Sequence, residues 1–133
     1  MTNAIYPRFK QVCLDTGGGL VAGNVRVALV SAGYTYSATH EFYSGVPSTA
    51  VVATSPALTS KTITNGVFDA ADVTISAVSG AQVTALIIYI DTGTATTSRL
   101  VAFLDNVTNL PFTPNGGDVT ITWDNGPNRI FAL

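Results

Sequence analysis

Charge is scarce in this chain of 133 residues. Asp, Glu, Lys and Arg make up 11% of it, whereas a typical globular protein contains about 25%. The six Lys and Arg residues are scattered singly and the formal net charge is −2. Because no basic cluster can neutralise phosphates, we expect neither a nucleic-acid partner nor attachment to a membrane surface.

The chain also has only one cysteine and no long apolar segment. A single cysteine, Cys13, excludes an internal disulfide framework. The longest apolar run, residues 83–90, is far shorter than the roughly 20 residues of a membrane-spanning helix. No basic region followed by an apolar one marks a secretory signal near the start, so we expect synthesis in a reducing cytosol.

Hydrophobic residues, in contrast, make up 47% of the chain. A monomer with so much apolar and so little charged surface is poorly soluble, so the composition favours self-association or assembly with a partner. A monomer whose surface is mainly Ser and Thr is the alternative. The length fits one domain, which we place at residues 1–133.

The N-terminal segment, residues 4–14, is predicted to form a helix. Asn3 is a candidate cap, Pro7 is tolerated only in the first turn, and the glycines at 17–19 end the helix. We therefore divide the domain into a helix with its cap, residues 1–19, and strands, residues 20–133. The apolar residues with helical spacing are Ile5, Phe9, Val12 and Cys13.

The rest of the chain is predicted to form about eight short strands separated by turn residues. Residues 83–90 are apolar on both faces, which indicates a central strand, with 99–104 as its hairpin partner. This pattern is typical of an all-β fold, a β-sandwich or jelly-roll-like barrel, here with a short N-terminal helix. The predicted strands are 25–30 with an extension at 34–36, 39–43, 50–54, 61–64, 73–78, 83–90, 99–104, 119–123 and 129–133.

Two Asp-Thr-Gly triplets, at 15–17 and 91–93, are the clearest enzymatic signal. Aspartic peptidases use this triplet because two aspartates must meet and share one proton. The second triplet follows an apolar strand as in such enzymes, but Asp15 ends a predicted helix. The same triplet is common in turns. We therefore expect a protein without catalytic residues, and keep a peptidase using Asp91 as an alternative.

Other candidate catalytic and metal-binding residues are isolated in the sequence. A nucleophilic Cys13–His40 pair needs the two side chains to meet in space, and Cys13 lies on the apolar face of the predicted helix. One Cys and one distant His do not make a zinc site. Asp69 and Asp72 lack the density of oxygen ligands of a calcium loop. We expect no metal and no cofactor, although a carboxylate pair for glycoside cleavage stays open.

Four aromatic residues, Tyr34, Tyr36, Phe42 and Tyr43, fall within ten positions of each other. Ordinary strand packing is one interpretation of this cluster. The other is an anchor patch for a partner subunit, because aromatic residues are enriched at interface cores. Trp123 alternates with Ile121 and Val119, so we place it in the core.

Several turn and core motifs together carry a resemblance that extends over nearly the whole chain. They are Tyr-Pro-Arg-Phe-Lys at 6–10, Val-Arg-Val-Ala-Leu-Val at 25–30, Gly-Val-Phe-Asp-Ala-Ala-Asp-Val at 66–73, Asp-Thr-Gly at 91–93, Pro-Asn-Gly-Gly-Asp at 114–118 and Trp-Asp-Asn-Gly-Pro-Asn-Arg-Ile-Phe at 123–131. With them the chain resembles small structural proteins of tailed bacteriophages, in particular capsid decoration or cement proteins.

That resemblance implies a non-enzymatic virion protein that binds the outer surface of the shell formed by the major capsid protein and stabilises it. We expect a homo-oligomer, and favour a trimer because it matches local three-fold positions of a shell. A tail, neck or baseplate component is the next interpretation. A carbohydrate-binding module is a further one, since β-sandwiches with exposed aromatics bind sugars. The motifs carry no active site.

Overall fold

The computed structural model describes residues 4–15, 20, 23–64, 67–105, 110–121, 123 and 131–132. This part of the chain contains one α-helix, α1 (Pro7–Asp15), and ten strands. Two short 3₁₀ turns, Tyr43–Gly45 and Ser48–Ala50, precede the third strand. The strands are β1 (Ala4–Ile5), β2 (Asn24–Val30), β3 (Val51–Thr54), β4 (Thr62–Thr64), β5 (Val67–Asp69), β6 (Val73–Ile75), β7 (Ala85–Asp91), β8 (Arg99–Leu104), β9 (Val119–Ile121) and β10 (Phe131–Ala132).

The main sheet is antiparallel, with the strand order β1-β8-β7-β2-β3. Strand β7 lies in its centre, paired along its whole length with β2 and on the other side with β8, from Leu86 opposite Leu104 onward. Residues 85–89 of β7 are all buried. The predicted central strand and its hairpin partner are thus confirmed, because a run that is apolar on both faces is stable only where both faces are covered.

Two smaller antiparallel sheets complete the fold, β10-β5-β4 and β6-β9. Phe68 of β5, Val73 and Ile75 of β6, and Ile121 of β9 join one buried cluster with the main sheet. The predicted all-β class with a short N-terminal helix is confirmed, and Trp123 lies in this core as expected.

Helix α1 begins later than predicted. Ile5 belongs to β1, where it pairs with Ala102, so it does not lie on the apolar face of the helix. Pro7 is the first helical residue, a position where its missing N–H is not needed. Phe9 is buried and Cys13 packs partly buried against the core. The predicted caps at Asn3 and Gly17–Gly19 lie outside the described residues.

The predicted strands at 34–36 and 39–43 are wrong. Residues 31–50 instead form an irregular segment that contacts the main sheet through Phe42, which makes a single β-bridge to Arg99. Its aromatic rings pack against neighbouring rings, so they do not alternate between two faces as in a strand.

Strands elsewhere differ from the prediction mainly in length. Strand β6 ends at Ile75, shortly before Ala77 with its φ of 52°, and β9 ends at Ile121. Strands β1 and β5 were not predicted, because segments of two and three residues are too short to show the apolar–polar alternation of a strand. Residues 122, 129, 130 and 133 of the predicted strands lie outside the described residues.

Candidate functional site

The segment between β2 and β3 carries the four aromatic residues that the sequence singles out, and the structure divides them into two groups. Tyr34 and Tyr36 pack with Tyr6 and Phe103, at ring-centre distances of 5.0 to 5.8 Å. Phe42 and Tyr43 lie further along the segment, against β7 and β8. The cluster in sequence is therefore two clusters in space.

Three side chains beside Tyr36 and Phe103 are linked in a row by hydrogen bonds. The Tyr6 and Tyr34 hydroxyl oxygens are 2.5 Å apart, and the Tyr34 hydroxyl is 2.8 Å from His40 Nδ1. Both hydroxyl hydrogens have an acceptor when Tyr6 donates to Tyr34 and Tyr34 donates to an unprotonated Nδ1. We call Tyr6, Tyr34 and His40 the tyrosine–histidine chain.

Burial keeps the hydroxyl groups of Tyr6 and Tyr34 in the tyrosine–histidine chain neutral. Tyr6 is 0% exposed and Tyr34 is 6% exposed. Desolvation, together with the neighbouring Tyr34, raises the pKa of the Tyr6 hydroxyl far above its usual range, and desolvation also raises the pKa of Tyr34. Neutral hydroxyls that hold a loop against the core contribute to structure rather than to proton transfer at ordinary pH.

Tyr34 is therefore a poor candidate for a partner-binding residue, because its ring is already covered by the protein's own core. Its assignment to an anchor patch for a partner subunit stays a prediction, and its burial counts against it. Tyr36, Phe42 and Tyr43 are half-buried and keep part of their surface. Their assignment to a partner interface stays a prediction.

The second group joins the segment to β7 and β8. The Tyr43 ring stacks on Tyr89, with centres 4.2 Å apart and planes 14° apart. The Arg99 guanidinium lies 5.1 Å from the centre of the Phe42 ring and pairs with Glu41 at 2.9 Å. Burial raises the pKa of both Tyr43 and Tyr89. These contacts fasten residues 41–43 to the sheet.

Asp91, the candidate peptidase aspartate, is held by a turn and an arginine. Its Oδ2 lies 2.9 Å from Arg26 Nε, and its Oδ1 accepts the Gly93 N–H at 2.8 Å. Gly93 has a φ of 89°, which favours glycine. Asp15 is exposed at the end of α1. The surroundings of Asp91 match the turn interpretation, since a proton-sharing aspartate needs a second carboxyl beside it.

The loop between β7 and β8 is closed by hydroxyl groups. Ser98, 1% exposed, donates its hydroxyl to the Thr94 carbonyl at 2.9 Å and accepts the Thr92 N–H at 3.0 Å. The Thr92 and Thr97 hydroxyls are 2.6 Å apart. These Thr and Ser side chains form a local turn network that gives the hairpin a defined end.

Cys13 and Asp72 each make a structural contact within the chain. Burial raises the pKa of the Cys13 thiol, which disfavours the nucleophilic thiolate. Asp72 accepts the Trp123 N–H at 3.0 Å. In the described part of the chain, no three His, Cys, Asp or Glu side chains are grouped to hold a metal ion.

The residues that contact these aromatic side chains could not be recognised from the sequence; they are Tyr6, Tyr89, Arg99 and Phe103. Tyr6 fell inside the predicted helix, and Tyr89 and Phe103 fell inside apolar strands. Nothing local distinguishes them from ordinary core residues, because what matters is the neighbour that each meets across the sheet.

Among the described helices, none has the length and apolar character that crossing a membrane requires. Neither a protein family nor a curated relative matches the sequence of this chain.

Proposed function

We propose that this chain is a non-enzymatic structural protein of a tailed-bacteriophage virion, which decorates the capsid by binding the outer surface of the major capsid protein shell. The sequence motifs support this proposal through their resemblance to decoration and cement proteins. The main structural support is that the side chains that could serve in catalysis already bond to other groups of the protein. His40, Glu41, Asp72 and Asp91 each make a hydrogen bond or ion pair within the chain. Such a protein acts through its shape and surfaces.

The fold suits a protein that transmits load between neighbours. A wide antiparallel sheet with a central buried strand is stiff, because each strand is tied to its neighbours by backbone hydrogen bonds. Tyr6 and Tyr34 fasten the long segment after β2 to this sheet. A rigid binder loses little conformational entropy on docking, so more of its contact energy appears as affinity.

Sparse charge also fits a molecule that is surrounded by neighbours. With 11% charged residues, much of the surface can be covered without burying unpaired charges, which is costly. Copies that bridge several shell subunits gain further through effective concentration. We propose self-association as well, with a trimer at local three-fold positions, and assign the half-exposed Tyr36, Phe42 and Tyr43 to contacts with a partner subunit.

A binding experiment with capsids tests this function. Purified chain is mixed with shells that were assembled without it from the major capsid protein of the same genome, and the shells are then sedimented. We expect saturable binding at hundreds of copies per shell and a higher temperature of shell disruption. Saturation at six or twelve copies would instead indicate a tail or neck position, and no binding would refute the proposal.

The same protein tests the enzymatic alternative. We expect no cleavage of an unfolded peptide library by the wild-type chain, and the same result for Asp91→Asn. Peptidase activity that the substitution removes would show that Asp91 is catalytic and that the structural proposal is wrong.

A further inference from the structure

The outer face of α1 differs from the rest of the described surface. Leu14 is 88% exposed, the more exposed of two large hydrophobic side chains that stand out in solvent. At about 100° per residue, Leu14 lies at the centre of the solvent face, one turn from Lys10 and Gln11, which are also exposed. The opposite face is anchored by buried Phe9.

Among the described residues, the cations without a partner, Arg8 and Lys10, both lie on α1. Arg26 pairs with Asp91, Arg99 pairs with Glu41, and Lys61 donates to the Gly23 carbonyl. Within the part of the chain that the structure describes, Arg8 and Lys10 have no ion pair, and both are exposed. The helix also carries the exposed Asp15, which directly follows Leu14, so two cations and one carboxylate leave α1 with a net positive charge.

These features define the chemistry of a partner. An exposed leucine gains free energy when an apolar surface covers it, and unpaired cations favour a surface of opposite charge. We propose that the exposed side of α1, with Leu14 at its centre, Lys10 and Gln11 on either side and Arg8 at its edge, docks on an acidic surface of the major capsid protein, with Leu14 in an apolar depression. This inference rests on the proposed function and names the side of the chain that faces the shell.

A second copy of the chain fits this face less well. Glu41 and Asp91 already pair with arginines, while Asp72 and Asp118 accept backbone N–H groups. Asp69 and Asp105 have partners as well. Among the described acidic residues, Asp15 alone makes neither an ion pair nor a side-chain hydrogen bond, and it lies on α1 itself, so we favour a different protein with an acidic surface as the partner.

Three variants and two controls test the inference in the shell-binding assay. Leu14→Ser removes the apolar contact, Arg8→Gln with Lys10→Gln removes the cations, and a triple variant combines them. Ile63→Ser is the matched control for Leu14, because Ile63 is 50% exposed on β4. Thr96→Glu with Thr113→Glu changes the net charge equally at exposed positions elsewhere.

We expect Leu14→Ser and the double glutamine variant each to weaken shell binding at least tenfold, and the controls to bind within twofold of wild type. Wild-type affinity should fall when NaCl rises from about 0.05 M to about 0.5 M, and the double glutamine variant should depend less on salt. Unchanged urea midpoints would show that all variants fold.

Other outcomes separate the two proposals. Failure of the wild-type chain to bind shells would overturn the proposed function and this inference with it. Binding by wild type that the α1 variants retain would overturn the inference alone. The inference would also be overturned if light scattering showed a lower mass for the α1 variants than for wild type, because α1 would then contact a second copy. It would likewise be overturned if wild type bound vesicles that contain phosphatidylserine and the α1 variants did not, because α1 would then contact a lipid surface.

Discussion

Replacing Tyr34 with phenylalanine breaks the tyrosine–histidine chain at its centre. The ring stays, so its packing against Phe103 is preserved, and only the hydroxyl between Tyr6 and His40 is lost. Tyr6 is 0% exposed and its hydroxyl bonds only to Tyr34 among the described residues. Tyr34→Phe therefore leaves a buried hydroxyl without a partner.

The loss of stability caused by Tyr34→Phe can be worked out from the two hydrogen bonds that it removes. An unsatisfied buried hydroxyl costs about 1–3 kcal/mol, and the lost bond to half-exposed His40 adds about 0.5–1 kcal/mol. We expect Tyr34→Phe to lower the free energy of unfolding by about 1.5–4 kcal/mol. Tyr6→Phe removes the donor and leaves the Tyr34–His40 bond intact, so it should cost only about 0.5–1.5 kcal/mol.

The double variant gives the sharpest test. Once the Tyr34 hydroxyl is absent, removing the Tyr6 hydroxyl eliminates the unsatisfied group, so Tyr6→Phe should stabilise the Tyr34→Phe protein while it destabilises wild type. Urea unfolding at one fixed pH, followed by fluorescence of the buried Trp123, measures all four proteins. Additive losses, or a larger loss for Tyr6→Phe than for Tyr34→Phe, would refute the hydrogen-bond assignment.

Two further predictions concern the core and alkaline pH. Ile87→Ala, in the centre of β7 at 0% exposure, should cost about 2–5 kcal/mol in urea unfolding, whereas Ile63→Ala should stay within about 0.5 kcal/mol; equal losses would contradict the sheet order. Burial raises the pKa of Tyr6 and Tyr89 in the folded state, so the folded protein binds these protons more tightly than the unfolded chain does. Their stabilisation is complete below the ordinary tyrosine pKa of about 10 and declines as the pH rises above it, by about 1.4 kcal/mol per pH unit for each tyrosine. Urea midpoints that do not change between about pH 9 and 11 would show that these hydroxyls are solvated.

Local pattern alone predicted the elements that hold most of the fold together. Strands β2, β7 and β8 follow from β-branched, apolar runs that are bounded by turn residues, and the hairpin follows from the loop between β7 and β8. Helix α1 follows from the spacing of Phe9, Val12 and Cys13. Each of these signals lies within one short window of sequence, which is why single-sequence reasoning detects it.

Tertiary structure decided what the side chains do. Tyr34 became a core residue because Tyr6, which lies between β1 and α1 and 28 residues away in the sequence, bonds to its hydroxyl, and Phe103 of β8 packs against its ring. Asp91 became a turn residue paired with Arg26 because β2 and β7 are neighbours. No local pattern carries either result, since burial and pairing depend on which distant strand lies alongside, and that choice is made by the packing of the whole core.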